Sequence, residues 1–184
     1  MIEAELKARV RDPQALHQRL RQLAAGEQSV YHDTYYDYPG KDLTASGREL
    51  RLRTIQADGQ QRSLLTYKEP AVDAASGSKP EHETEVASPA AVDCLLRGVG
   101  FEYLVSFEKH CTNYRFSAQG RDMLATVVTI PELDGTFLEL ETMTSPDDTQ
   151  AGLADIQTVL QRLGIAHEDL TTEQYTDAVL TRQR

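Results

Sequence analysis

Ile2-Glu3-Ala4-Glu5-Leu6-Lys7-Ala8-Arg9-Val10-Arg11 alternates apolar and charged residues without a break. Successive side chains of a strand point to opposite faces. A strand here carries Ile2, Ala4, Leu6, Ala8 and Val10 on one face and Glu3, Glu5, Lys7, Arg9 and Arg11 on the other. The device returns along the chain. Arg51 and Arg53 share a face with Glu49, opposite Leu50 and Leu52; Thr66 and Lys68 share one; Glu81, Glu83 and Glu85 share another; Glu139 and Glu141 stand opposite Leu138 and Leu140. A single charged strand face usually meets water. Five of them, carrying both signs, imply something else. If the apolar faces pack against helices, a barrel closed around the charged faces has carboxylates on some walls and cations on others. Buried like charges cost several kcal/mol each unless neutralised. Paired carboxylates suit a hard divalent cation such as Mg²⁺ or Mn²⁺, and Arg and Lys suit phosphate oxygens. Metal plus cations is the equipment for a polyphosphate.

Around these strands the chain repeats a unit of strand, Asp-Pro or Ser-Pro, and helix. Asp12-Pro13 opens an amphipathic stretch with Leu16, Leu20 and Leu23, running to about Gly26. Ser88-Pro89 opens one through Val92, Leu95, Leu96 and Val99, closed by Gly98 or Gly100. Ser145-Pro146 opens one through Leu153, Ile156, Leu160 and Leu163, stopped at Gly164. A last helix is expected from Thr171 or Thr172, holding Tyr175, Val179 and Leu180. The first two units align at an offset of 76, with Pro13 on Pro89 and Glu5 on Glu81. Internal duplication and two uses of one capping chemistry both account for this. Further strands are expected at 29–36, 49–55, 62–68, 104–116 and 123–130, with turns at Tyr38-Pro39-Gly40 and Ala57-Asp58-Gly59 and a mobile loop at 71–80. Many strands with few helices make this an α+β, largely antiparallel, single domain over 1–184.

The 184 residues carry 19 Lys and Arg against 29 Asp and Glu, a net charge of −10. That balance disfavours nucleic acid and anionic membranes. Residues 1–121 hold 16 basic and 17 acidic side chains and residues 122–184 hold 3 and 12, so the excess lies in the last third, expected as a solvated acidic surface. No apolar run approaches the roughly 20 residues of a membrane helix, and the first residues have no signal-peptide core, so a cytoplasmic protein is expected. Cys94 and Cys111 make neither a disulfide framework nor a zinc site. No Walker A loop, GxGxxG or HExxH occurs, the five histidines show no ligand spacing, and Cys111 reads as an inert buried thiol.

Glu3-Ala4-Glu5-Leu6-Lys7 resembles the ExExK signature of the CYTH family, the triphosphate tunnel metalloenzymes. Further pieces agree in order: Asp33-Thr34-Tyr35-Tyr36-Asp37, Leu50-Arg51-Leu52-Arg53, Leu65-Thr66-Tyr67-Lys68, Glu83-Thr84-Glu85, Lys109 with Tyr114, and Gly135-Thr136-Phe137-Leu138-Glu139-Leu140-Glu141. The likeness spans the chain and is nearest the class IV adenylate cyclase-like branch, a family that also includes thiamine triphosphatase. It implies a closed antiparallel eight-stranded barrel with helices outside. It implies metal-side carboxylates at Glu3, Glu5, Glu139 and Glu141, with Glu83 and Glu85 as additional ones. Lys7, Arg51, Arg53, Lys68, Lys109 and Arg115 would hold the triphosphate, with Lys7, Glu5 and Arg53 closest to the chemistry. Mg²⁺ or Mn²⁺ would be the cofactor, and a small polyanion (inorganic triphosphate, ATP or thiamine triphosphate) the substrate of a monomer or homodimer.

Three positions depart from that pattern. Cys111 stands where an Arg commonly follows Lys109; Val128 stands where an Asp commonly precedes Pro131; Glu173 stands where a Lys commonly precedes the Tyr of the last helix. His110 and Arg115 are the neighbours that would compensate for Cys111, both expected on the opposite strand face. The expected activity is metal-dependent triphosphate hydrolysis; the alternatives are cyclisation of ATP to cyclic AMP and pyrophosphate, and a weakened polyphosphate or nucleotide binder.

Overall fold

A computed structural model describes residues 2–73 and 77–183. Part of the expected 71–80 loop thus lies outside the described residues. Eight strands form a closed antiparallel barrel in the order β1-β5-β4-β3-β2-β6-β7-β8. They are β1 (Ile2–Val10), β2 (Gly26–Asp37), β3 (Glu49–Ala57), β4 (Gln60–Lys68), β5 (Lys79–Glu85), β6 (Glu102–Ala118), β7 (Arg121–Thr129) and β8 (Thr136–Thr144). Outside lie α1 (Pro13–Arg21), α2 (Asp42–Ala45), α3 (Pro89–Gly98), α4 (Thr149–Arg162) and α5 (Tyr175–Arg182). None of these helices is long and apolar enough to cross a membrane.

Period-two alternation sets the register, because a one-residue slip would turn every charged face outward. β1 pairs with β8 along its whole length, placing Glu5 beside Glu141 and Lys7 beside Glu139. β3 and β4 join through Asp58-Gly59, both at positive φ (50° and 72°), as a tight two-residue hairpin turn requires. The seam between β1 and β5 is short, with two register pairs, Ile2 with Pro80 and Glu3 with Lys79; beyond them the Glu5 amide donates to Ser78 Oγ at 3.3 Å.

The apolar faces go where the alternation sends them. Ala4, Ala8, Leu138 and Leu140 pack under Leu16 and Leu20 of α1 and Leu153, Ile156, Val159 and Leu160 of α4. Gly152 is needed in α4, because a Cβ there would meet Thr144 Cγ2 at 2.6 Å.

Asp12 and Ser88 cap α1 and α3 alike, accepting from the Ala15 and Ala91 amides at 3.0 and 3.3 Å. The likeness at offset 76 therefore extends to the caps but not to the packing, since α1 buries two leucines and α3 buries no residue. Several sequence expectations need correction. Leu23 is exposed, because α1 ends at Arg21; Leu95 and Val99 are also exposed. The third unit opens with a 3-10 turn at Pro146–Asp148 before α4, and the last helix begins at Tyr175, not at Thr171 or Thr172. The short α2 has no amphipathic period to announce it; Asp37 holds it, accepting from the Leu43 and Thr44 amides at 2.9 Å each.

Candidate functional site

The inward strand faces enclose a chamber of about 240 Å³. Seven carboxylates line it, Glu3, Glu5, Glu49, Glu81, Glu83, Glu139 and Glu141, and seven cations, Lys7, Arg51, Arg53, Arg62, Lys68, Lys109 and Arg115. The lining is therefore balanced in formal charge, with Asp33 behind Arg53 as one further carboxylate, and most of the protein's net −10 belongs to the rest of the molecule. The acidic last third is partly neutralised by arginines from elsewhere: Arg121 bonds Asp148 and Asp155, Arg11 bonds Asp169, and Arg9 bonds Glu173. A larger hollow of about 770 Å³ lies against α1 and the β3–β4 hairpin, but its lining has one carboxylate, Asp58, and no Lys or Arg. The chemistry-bearing residues converge in the smaller one.

Glu3, Glu5 and Glu141 each bring a carboxylate oxygen to within 4.8 Å of the other two. They come from the paired strands β1 and β8. In the order of the barrel these strands lie across from β3, which carries Arg51 and Arg53. Lys68 sits 2.6 Å from Glu3 and 2.8 Å from Glu81. Glu139 lies beside Glu5 but outside the trio, and Lys109 donates to both its oxygens at 3.0 Å. Arg53 donates to both oxygens of Asp33, at 2.6 and 2.7 Å, and stacks on the Tyr31 ring. Arg51 donates to Thr66 Oγ1 at 3.3 Å, while its Nε, buried, finds no partner among the described residues. Lys79 and Glu49 pair at the entrance, where two further hollows of about 440 and 60 Å³ adjoin the chamber.

Crowding shifts the carboxyls apart. Burial, then the charges of Glu139 and Glu3, pushes Glu5 up to about 7. Burial, then Glu3 and Glu5, raises Glu141 well above the ordinary range. Burial opposes ionisation of Glu3 too, but the Lys68 charge and hydrogen bonds from its neighbours hold it well below normal. Burial likewise works against Asp33, and Arg53 overrides it. Three mutually repelling oxygen donors, with no sulfur or imidazole among them, fit a hard divalent cation.

The structure brings Glu3, Glu5, Lys7, Arg51, Arg53, Lys68, Lys109, Glu139, Glu141, Glu83 and Arg115 to one chamber. Glu85 is exposed and does not line it. Arg115 corrects an expectation: four residues from Cys111, it shares that residue's strand face and lines the chamber from an exposed position. His110 stays outside, with its ring 2.6 Å from Glu108.

The departures also read differently in place. Cys111 and Val128 are register partners across β6 and β7, 4% and 0% exposed, packed with Phe137, Tyr175 and Val179. The two departures thus face each other: where the resemblance implies an Arg and an Asp, two apolar side chains are paired. Burial pushes the Cys111 thiol up to about 12, in keeping with an inert thiol. The Glu173 carboxylate bonds Arg9 at 2.8 Å and is half exposed, while its carbonyl accepts from Lys7 Nζ.

Sequence reasoning left out Asp33, Arg62 and Tyr175. Asp33 had a signal, since it stands on one face with Tyr31 and Tyr35 and an acid among inward aromatics needs a cation. Tyr175 had only its place in the family pattern of the last helix, because α5 reaches the barrel through tertiary folding alone.

A model of the CYTH domain family matches residues 1–175. The adenylate cyclase CyaB of Aeromonas hydrophila is 30% identical over 183 residues, covering 95% of this chain and 86% of its own. The PH1819 protein of Pyrococcus horikoshii OT3 superposes with a TM-score of 0.84 at 24% identity, over 99% of both chains. HpAC1 of Hippeastrum, an adenylyl cyclase candidate described as having a dominant triphosphatase activity, superposes at 0.68 with 20% identity, over 98% of this chain and 96% of its own.

Proposed function

Because this chain belongs to the CYTH domain family, we propose that it is a divalent-metal-dependent enzyme hydrolysing inorganic or organic triphosphates inside its barrel. One observation carries the reading: a charge-balanced chamber in which a carboxylate trio lies across from buried arginines, one with an unpartnered donor. Such a chamber accepts a cation and an anion together more readily than either alone. Glu3, Glu5 and Glu141 would hold Mg²⁺ or Mn²⁺. Bound there, the metal supplies Lewis-acid polarisation of a phosphoryl oxygen and of a water.

The chain's own residues do the rest. Arg53, Lys68 and Lys109 exchange their carboxylate partners for phosphate oxygens and Arg51 offers its free Nε, which fixes the triphosphate in line for attack. Glu139 stays with Lys109 until phosphate draws the lysine away. Lys7 and Arg53 neutralise the charge developing on the transferred phosphoryl group, and Glu5 orients the attacking water. Arg115 and Arg62 meet the chain of phosphates from the exposed part of the lining. The activity described for the Hippeastrum protein makes hydrolysis the first reaction to assay.

The name of the Aeromonas relative favours one second reading, attack of a ribose 3′-hydroxyl on the α-phosphorus to give cyclic AMP and pyrophosphate. Purified protein is incubated with inorganic triphosphate, ATP and thiamine triphosphate, with Mg²⁺ or Mn²⁺. Free phosphate is expected. Cyclic AMP with pyrophosphate would move the assignment to the cyclase, and silence with all three substrates would sink the enzyme.

A further inference from the structure

Tyr175 opens α5 and its ring enters the chamber from outside the barrel wall. It is 8% exposed, packed edge-on against Phe137 with centroids 5.2 Å apart. The ammonium groups of Lys7 and Lys109 both lie over the ring, 4.4 and 4.9 Å from its centre. Its hydroxyl is buried beside the Glu139 carboxylate but makes no hydrogen bond of good geometry among the described residues. Buried tyrosine hydroxyls ordinarily find a partner, and leaving one unmade is costly.

The rest of α5 does not explain the cost. Val179 and Leu180 pack into the apolar cluster of β2, β6 and β7, and Arg182 bonds Asp134 at 2.6 Å. A phenylalanine at 175 would serve that packing and the cation–ring contacts equally well. The preceding residues also converge on Lys7: the Thr171 amide donates to its carbonyl at 2.9 Å, and the Glu173 carbonyl accepts from its Nζ.

We propose that the Tyr175 hydroxyl is a substrate-binding donor that hydrogen-bonds a phosphoryl oxygen of the triphosphate held between Lys7 and Lys109. This deepens the triphosphate reading and rests on it. The O–H stays neutral because burial, then the charges of Glu139 and Glu5 and the contact with the Glu139 carboxylate, raise its pKa, so it remains a donor when phosphate enters beside the two ammonium groups. The anion site is then completed by the last helix of the chain, not by the barrel alone.

Tyr175→Phe tests this, since it deletes one O–H and keeps the ring. Calorimetry with inorganic triphosphate and Mg²⁺ reads binding, steady-state kinetics reads turnover, and thermal unfolding reads the fold. Binding and kcat/KM are each expected to fall about 10- to 100-fold, as for a hydrogen bond to a charged group. The ligand-free variant is expected to melt near the wild-type temperature, because the hydroxyl makes no well-formed hydrogen bond to lose. A merely structural hydroxyl would do the reverse, lowering the melting temperature and leaving binding intact, and that result overturns the assignment. If wild-type protein fails to bind inorganic triphosphate at all, the triphosphate reading falls and takes this one with it. If wild type binds and Tyr175→Phe binds equally, only the role of Tyr175 falls.

Discussion

Replacing Asp33 by asparagine leaves Arg53 inside the barrel without its counter-charge. The two side chains are 0% and 13% exposed and joined by two charge-assisted hydrogen bonds, at 2.6 and 2.7 Å. Removing one partner of a buried pair costs about 3–5 kcal/mol, because the charge left behind is not rehydrated. For a chain of this size each kcal/mol moves the melting temperature by roughly 2–4 °C. The D33N protein should therefore melt roughly 6–20 °C below wild type at neutral pH.

The sign of the pH dependence follows from the carboxyl being held below its ordinary value. Its contribution is complete above the unfolded pKa, near 3.9, and is lost as pH falls toward the folded one. The gap between variant and wild type should thus be constant from pH 5 to 7 and narrow in strong acid. Removing Arg53 as well, in D33N/R53M, should recover much of the loss, a coupling of at least about 2 kcal/mol in a double-mutant cycle. Inorganic triphosphate should raise the melting temperature of D33N more than that of wild type, since phosphate supplies the missing anion without competing against Asp33. Urea and thermal unfolding read all of this. A D33N protein melting within about 2 °C of wild type, or additive losses in the cycle, would refute the placement of a buried ion pair at the site.

Three more expectations concern the chamber. Metal and triphosphate should bind with reciprocal coupling of about 5- to 150-fold, because each neutralises the groups the other needs freed; calorimetry in which Mg²⁺ leaves the triphosphate affinity unchanged would contradict a charge-balanced exchange. Glu5, pushed up to about 7, binds protons more tightly folded than unfolded. Metal-free protein should thus lose stability as pH rises from about 4.3 to 7, and Glu5→Gln should flatten that slope while abolishing turnover; a metal-free melting curve independent of pH there, in wild type, excludes the carboxylate crowding. Cys111→Arg should not improve the site alone, because Val128 opposite offers no charge; a cost of about 3–5 kcal/mol is expected, largely recovered in C111R/V128D. A single C111R variant that is stable and more active would show the two positions to be independent.

The strands, their inward faces and most of the charged set were legible in the chain, because period-two alternation is a local property that fixes which side chains share a face. The Asp-Pro and Ser-Pro caps were legible for the same reason. What sequence could not rank was which charges pair. Glu139 and Glu141 are two residues apart on one face, yet one bonds Lys109 and the other joins Glu3 and Glu5. That depends on which strands become neighbours when the barrel closes, β1 beside β8 and β6 one strand away, and no local spacing records it. Likewise Cys111 and Val128 came to face each other only when β6 and β7 were set in register. Tyr175 became part of the chamber only when α5 docked on the barrel. The chain by itself determined an amphipathic barrel with a charged lining. Closure and helix docking decided how that lining divides into a carboxylate trio, a set of cations across from it, and one tyrosine hydroxyl without a well-formed bond.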